Sequence, residues 1–275
     1  MAERFTVLGA GGFIGGQLVA HLRRKGHECH APARNAAPDP RTEHGHMVYC
    51  IGLTSDFRGR PLETVEAHVC VLRDLLQQAR FSSLTYLSST RVYAGAQETV
   101  ETAALRVAPG APDDLYNLSK LMGESLCLHG GRAGVKVARL SNVVGLRPDA
   151  DIFIDQLLHE GFTLGEILFR SGPATAKDYV HVDDVVTALE TMALSPATGL
   201  FNVASGRPTS NAQIAAAIEA QLGIPCRFEP GAPEWAFPPI DIGRARALLG
   251  FAPQPFEQFF PHHLAAYRAA RNGKP

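Results

Sequence analysis

The 275-residue sequence is short of the features that would commit it to a membrane, to an oxidising compartment or to nucleic acid. No apolar run approaches the roughly 20 residues that a membrane helix needs. The first residues, MAERFTVL, run straight into a glycine cluster at Gly9. That leaves no room for the longer apolar core and small-residue cleavage site of a secretory signal, so a cytoplasmic chain is expected. Cysteine is sparse and odd in number: Cys29, Cys50, Cys70, Cys127 and Cys226, with no C-x-x-C, fit reduced thiols better than a disulfide framework. Charge of either sign is nearly absent on balance, with 26 Lys+Arg against 27 Asp+Glu, which gives no global reason to expect nucleic acid as a partner. The closest histidine pairs, His44/His46 and His262/His263, lack acidic or cysteine companions at ligand spacing, so no metal site is expected. What is present is apolar: 45% hydrophobic and 19% charged residues can bury one large or two modest cores.

The 26 glycines are not evenly spread. Phe5 to Leu8 is a short β-prone run that leads into Gly9-Ala-Gly-Gly12-Phe13-Ile14-Gly15. Ile14, Leu18 and Leu22 recur every four residues, as on one helix face, and Gly26 closes that helix. Cys29 to Ala33 reads as a second strand, and residues 35–46, polar with two prolines, as a loop. Strands are expected at Met47–Ile51, Leu84–Leu87 and Val135–Leu140. Helices are expected over Leu62–Leu76, Tyr116–His129, Val182–Leu194, Asn211–Leu222 and Phe256–Arg271. Alternation of this kind argues for a parallel sheet covered on both faces.

A strand, a glycine turn and a helix in that order form the opening of a dinucleotide-binding unit. A tight turn needs glycine's backbone freedom, and the pyrophosphate needs close approach to backbone N–H groups at the helix start. Gly9, Gly12 and Gly15 fill those positions. At the end of the second strand, where a carboxylate would hold the ribose hydroxyls of NAD, stands Ala33, followed by Arg34. A guanidinium there suits the 2′-phosphate of NADP, although a displaced acid such as Asp39 could still reach a ribose. NADP is therefore preferred over NAD.

Tyr116 and Lys120 lie at i and i+4, on one helix face. A free phenol with a pKa of about 10 is a poor proton carrier at neutral pH, and a neighbouring ammonium favours its ionised form. The pair can then exchange a proton with a hydroxyl while a nicotinamide exchanges hydride. Ser88-Ser89-Thr90 ends the preceding strand, at the edge where doubly wound sheets bind ligands, and offers a hydroxyl to the reacting oxygen.

In this combination the sequence resembles the extended short-chain dehydrogenase/reductase family, the NAD(P)-dependent epimerase/dehydratase group, almost end to end. The resemblance rests on the glycine loop, Ser88-Ser-Thr-Arg-Val-Tyr93, Tyr116-Asn-Leu-Ser-Lys-Leu-Met-Gly-Glu124 and Arg139-Leu-Ser-Asn-Val-Val-Gly145. It continues through Asp178-Tyr-Val-His-Val-Asp-Asp184, Phe201-Asn-Val-Ala-Ser-Gly206 and the Asp241 to Pro253 tail. It implies an α/β Rossmann doubly wound sheet with a smaller C-terminal substrate domain. Residues 1–145 plus about 178–205 would form the first, and about 146–177 plus 206–275 the second. It also implies Gly9, Gly12, Phe13, Ile14, Gly15, Arg34 and Lys120 at the cofactor, and Ser89, Tyr116 and Lys120 as catalytic residues. Thr90 and Asn142 would lie at the substrate. The implied activity is hydride transfer on a nucleotide-activated sugar, by an epimerase or a 4-keto reductase. The alternatives are a reductase of a non-sugar carbonyl compound and a non-catalytic dinucleotide-binding regulator. Many relatives dimerise through a four-helix bundle, here the helices around 62–78 and 116–129.

Three departures matter. Thr90 is followed by Arg91 and Val92, where dehydratases of the family carry the Asp and Glu that eliminate water. His68 stands where an Asn is common, with two readings, tuning of the site or packing on its helix, of which packing is expected. Residues 35–46 are too few for the helix, strand and helix usually found there, which predicts a truncated sheet edge and an open adenine pocket.

Overall fold

The protein is described from a computed structural model over residues 1–33, 39–54, 56–146, 152–235 and 237–272. In chain order it runs β1 (Arg4–Leu8), α1 (Phe13–Arg24), β2 (Glu28–His30), β3 (His46–Tyr49) and α2 (Pro61–Val65). A π-helical turn (Glu66–Cys70) leads into α3 (Val71–Gln78) and β4 (Ser83–Ser89). A 3-10 turn (Thr90–Tyr93), α4 (Asp114–His129), β5 (Val135–Leu140), β6 (Asn142–Val144) and α5 (Phe153–Leu164) follow. The remainder is β7 (Ile167–Phe169), β8 (Ala176–His181), α6 (Val182–Leu194), β9 (Gly199–Val203), β10 (Pro208–Ser210), α7 (Asn211–Leu222), β11 (Cys226–Phe228), α8 (Gly243–Leu249) and α9 (Phe256–Asn272).

Six strands form one sheet in the order β2-β1-β3-β4-β5-β9, every pair parallel. Parallel strands buried on both faces are mostly apolar, and β5 is buried at all six positions, its two cations, Lys136 and Arg139, being hydrogen-bonded. Alternate residues feed two cores. Phe5, Val7, Val48, Leu87 and Ala138 face α1 and α6, and Met47, Tyr49, Leu84, Tyr86 and Val137 face α3 and α4. The chain leaves β1 for β2 on one side and returns to β3 on the other. The crevice at the carboxyl ends of the strands opens at that reversal, where doubly wound sheets hold their ligands.

The expected shortening is present. β3 follows β2 directly, and among the described residues no strand lies outside β2, which is itself only three residues long. The expected second strand over Cys29–Ala33 is observed as Glu28–His30, paired with β1. The helix expected over Leu62–Leu76 is present, but a π-helical turn interrupts it at His68.

A second core gathers around a three-stranded sheet, β10-β8-β6, a two-stranded one, β11-β7, and helices α5, α7 and α9. Its centre is aromatic, with Phe169, Tyr179, Phe256, Phe260 and Tyr267. Helix α7 is bounded by local chemistry alone. Ser210 and Gln213 form a reciprocal capping box at its start, and Gly223 at φ +70° ends it, which is why Asn211–Leu222 was legible.

Candidate active site

The glycine loop turns as its sequence requires. Gly9 sits at φ +83°, and a Cβ there would lie 2.9 Å from the Cys50 carbonyl oxygen, against the end of β3. Gly15 packs directly on the Gly9 carbonyl, so a side chain would drive α1 off β1. The Gly12 N–H donates to the Gly9 carbonyl at 2.9 Å, while Gly11 and Gly12 stay exposed. No side chain caps α1, and no acid lies in its first turn. Its leading N–H groups and positive dipole end therefore remain for an anion, and a dinucleotide pyrophosphate fits this cradle. Phe13 and Ile14 are half-buried, and a Cβ on Gly145 would meet the Phe13 ring at 2.9 Å.

From that loop the crevice floor runs through Cys50, Ile51 and Gly52 to the expected catalytic groups. A Cβ on Gly52 would stand 3.3 Å from Lys120 Nζ and 3.1 Å from His68 Nε2. Lys120, buried on α4, donates from Nζ to the Leu87 carbonyl at 3.0 Å, and Nζ lies 5.8 Å from the centre of the Tyr116 ring. Burial pulls the ammonium down to about 7 against the opposing charges of Glu124 and Cys50. Tyr116 is hydrogen-bonded to the Ser89 side chain. Burial raises the phenol above its ordinary value, and the Ser89 bond and the positive charge of Arg91 pull it back. The spacing thus brings Ser89, Tyr116 and Lys120 to one end of the sheet beside the glycine loop. The cation whose charge bears on the phenol in this arrangement is Arg91.

His68 packs inside its helix, as expected, but it packs against the site. Its ring meets Tyr116 edge to face at 5.4 Å and 87°. Ser119 Oγ donates to the Tyr116 carbonyl at 2.9 Å, so His68 Nδ1–H donates to Ser119 at 2.8 Å, and Nε2 accepts from the Leu53 N–H at 3.2 Å. Burial and the Lys120 charge push His68 down to about 3, so it is a neutral spacer between α4 and the 50–53 floor. Its sequence signal was present, a His in place of Asn, but only the π-helical turn shows where the ring points.

Phe57 was not singled out by sequence reasoning, and Arg91 only as standing where dehydratases carry an acid. The Arg91 guanidinium lies 5.1 Å from the Phe57 ring centre and 5.4 Å from that of Tyr116. Arg58 covers Phe57 at 4.7 Å and bonds Asp113, the residue before α4, at 2.5 Å. That bond to Arg58 holds the Asp113 carboxyl below its usual range.

Behind the site, Arg139 of β5 pairs with Glu124 of α4 through two bonds of 2.9 and 2.6 Å. Ser88 donates to the same carboxylate at 2.6 Å. Arg139 also donates to the Tyr93 hydroxyl, which in turn donates to Asn202 on β9. This network ties the helix carrying Tyr116 to three strands. Glu124, Arg139 and Tyr93 lay within the quoted motifs, but their pairing required the sheet register.

The remaining expected residues are less central. Thr90 opens the 3-10 turn and is half-buried. Asn142 lies on β6 in the smaller sheet, where its amide donates to the Asp178 carbonyl at 2.7 Å. Asp39, the alternative acid, accepts from the Arg41 N–H within its own turn. Arg34 lies outside the described residues.

A parallel sheet with this strand order, a glycine cradle at the start of α1, and Ser89, Tyr116 and Lys120 at the carboxyl ends of β4 and along α4 define an extended short-chain dehydrogenase/reductase enzyme. The NAD dependent epimerase/dehydratase family model matches residues 46–204, more than half of the chain, and the chain belongs to that family. UDP-glucose 4-epimerase of Mycolicibacterium smegmatis is 26% identical over 91% of this chain and 94% of its own length. A dTDP-4-dehydro-6-deoxy-D-allose reductase of Streptomyces bikiniensis is 24% identical over 94% and 96%. Among solved structures, an NAD-dependent NDP-hexosamine 5,6-dehydratase of tunicamycin biosynthesis superimposes with a TM-score of 0.80 at 22% identity. It covers 97% of this chain and 98% of its own.

Proposed function

We propose that this enzyme moves a hydride at a carbon of a nucleotide-activated sugar, as an epimerase or a 4-keto reductase. The observation that carries this reading is the run of direct contacts from the Gly9 turn to Cys50, from Gly52 to Lys120, and from Tyr116 to Ser89. The two curated relatives above, one an epimerase and one a reductase of nucleotide sugars, support the substrate class.

A bound NAD(P) would supply hydride exchange at its nicotinamide. The chain supplies the rest. Gly9, Gly12, Phe13, Ile14 and Gly15 would hold the dinucleotide, with Lys120 at the nicotinamide ribose and Arg34 at a 2′-phosphate, which favours NADP. Ser89 hydrogen-bonds the reacting oxygen, and the Tyr116 hydroxyl carries the proton to or from it. Ser89 and Arg91 favour the ionised phenol against its burial. Arg91 cannot act as the base that water elimination requires, which speaks against dehydration. Thr90, Asn142 and the second core, residues 146–177 and 206–275, are the proposed substrate side. Leu62 (81% exposed) and Met122 (54% exposed), on α2 and α4, are apolar surface suited to a homodimer through those helices, which sedimentation would read.

The deciding experiment is a panel of UDP-, dTDP-, GDP- and CDP-sugars with NADPH or NADH, followed at the nicotinamide absorbance and by sugar analysis. Redox-neutral isomerisation identifies an epimerase, and stoichiometric cofactor oxidation a reductase. Tyr116→Phe is expected to lower kcat about 10²–10⁴-fold with cofactor affinity retained. Tighter binding of NADH than NADPH, unaffected by Arg34→Ala, would remove the preference for NADP.

A further inference from the structure

Tyr116 is the proposed proton carrier, yet only 6% of it is exposed and its hydroxyl is hydrogen-bonded to Ser89. A substrate oxygen must come within about 3 Å of a proton carrier, so part of this enclosure has to give way. Most of its walls belong to the body of the fold. His68 meets the ring from the π-helical turn, Lys120 lies one turn further along α4, Ser89 ends β4, and Arg91 faces the ring from the 3-10 turn. The remaining wall is Phe57, whose ring centre is 5.4 Å from that of Tyr116 at a tilt of 50°. Phe57 is 1% exposed, while Asp56, Arg58, Gly59 and Arg60 around it all face solvent. A single buried ring roots an exposed turn.

That turn closes mostly on itself. The Gly59 N–H donates to the Asp56 carbonyl at 3.0 Å, and the Arg60 N–H to the Phe57 carbonyl at 3.3 Å. The Arg60 guanidinium pairs with Asp56 and with Glu63 at the start of α2. Beyond α2, its polar tie to the body among the described residues is Arg58 to Asp113, just before α4. The two side chains are 52% and 59% exposed, and an ion pair so open to water and salt holds weakly. A segment held by one ring and one exposed pair opens locally at small cost. Covers that keep water from a proton-transfer site are built in this way.

We propose that residues 56–60 form a cover over Tyr116, with Phe57 as its plug and the Arg58–Asp113 pair as its clasp, and that the cover lifts to let a substrate oxygen reach the phenol. That the lifting serves the reaction rests on the assignment of Tyr116 as the proton carrier. The covering itself does not. The Arg58 guanidinium also lies 4.7 Å from the Phe57 ring centre, so the residue that clasps Asp113 is the one that holds the plug.

The test treats the full chain with tetranitromethane, which nitrates accessible phenolates, and follows each tyrosine by peptide mass. All six tyrosines are buried, and the other five are exposed by 2% or less, so those five report any loss of the fold. Arg58→Met breaks the clasp and should speed nitration of Tyr116 by about two- to fivefold, with the other five unmodified. Loss of the Arg58 charge by itself disfavours the phenolate and slows nitration, so an acceleration reads opening. Phe57→Ala removes the plug and should speed nitration of Tyr116 by about tenfold or more. Nitration that is unchanged or slower in Arg58→Met overturns the proposal, even if Phe57→Ala is faster, because Phe57 is then a fixed wall. If Phe57→Ala exposes the other tyrosines, Arg58→Met decides on its own. The reagent stands in for the substrate, so failure of the nucleotide-sugar panel leaves this result intact. Turnover of Tyr116→Phe tests the catalytic reading separately.

Discussion

The molecule contains two ion pairs removed from water to the same degree, and they are built in opposite ways. Arg139 and Glu124, each 3% exposed, lie behind the active site with every strong partner supplied. Glu124 receives two bonds from Arg139 and one from Ser88, and Arg139 passes a third on to Tyr93. Asp155 and His263, each 1% exposed, lie in the second core 3.4 Å apart. Among the described residues, neither Asp155 oxygen finds a hydrogen-bond donor and His263 Nε2 finds no partner. A buried charge is tolerable when its hydrogen-bonding capacity is met and costly otherwise. The first pair fixes the helix of Tyr116 and Lys120 to β4, β5 and β9. The second joins α5 to α9 within an aromatic cluster.

The largest effect separating the two should come from Arg139→Met, which leaves Glu124 buried and unpaired. Chemical denaturation should show a loss of about 3–5 kcal/mol. A loss below 1 kcal/mol would erase the distinction. Ser88→Ala removes one hydroxyl bond to the same carboxylate and should cost about 1.5–3 kcal/mol by the same measurement.

Lys120 sharpens the contrast from a third direction, as a buried cation of the proposed active site. Its folded value of about 7 lies below its ordinary 10.5. Between those values the unfolded chain binds the extra proton, so stability rises with pH across that window, and the full cost of the buried charge is carried below about 7. Lys120→Met should therefore match or exceed wild-type stability near pH 7 in the absence of cofactor. That advantage should shrink toward pH 10, as read by thermal melts across the range. An advantage that grows with pH would show that the ammonium is stabilised by its surroundings. The smallest change is expected from Asp155→Leu/His263→Leu. This should alter stability by less than about 1 kcal/mol or raise it, since apolar replacement of a poorly satisfied pair is often neutral or favourable.

Legibility followed the range of the interactions. The glycine loop was readable because three backbone requirements fall within seven residues, Gly9 to Gly15. The Tyr116/Lys120 pair was readable because helical spacing alone aligns it, and α7 because its caps are local. The shortened edge was readable from the length of residues 35–46 and appears as β3 following β2. His68 was harder. Its place in the sequence suggested packing on a helix, whereas a π-helical turn directs it at Tyr116. Arg91 was harder still, because its neighbours Phe57, Tyr116 and Asp113 come from distant parts of the chain.

The sequence by itself determined the class of enzyme: a dinucleotide cradle, a Ser/Tyr/Lys site and a sheet lacking its usual outer strand. Each rests on short-range geometry, in which the residue type and its spacing fix the conformation. The tertiary structure alone decided which charges meet. It placed Arg91 over the phenol, closed Glu124 onto Arg139 and left Asp155 with His263 poorly joined. Electrostatic pairing depends on distance and on exclusion of water, and neither exists until strands far apart in the chain come into register.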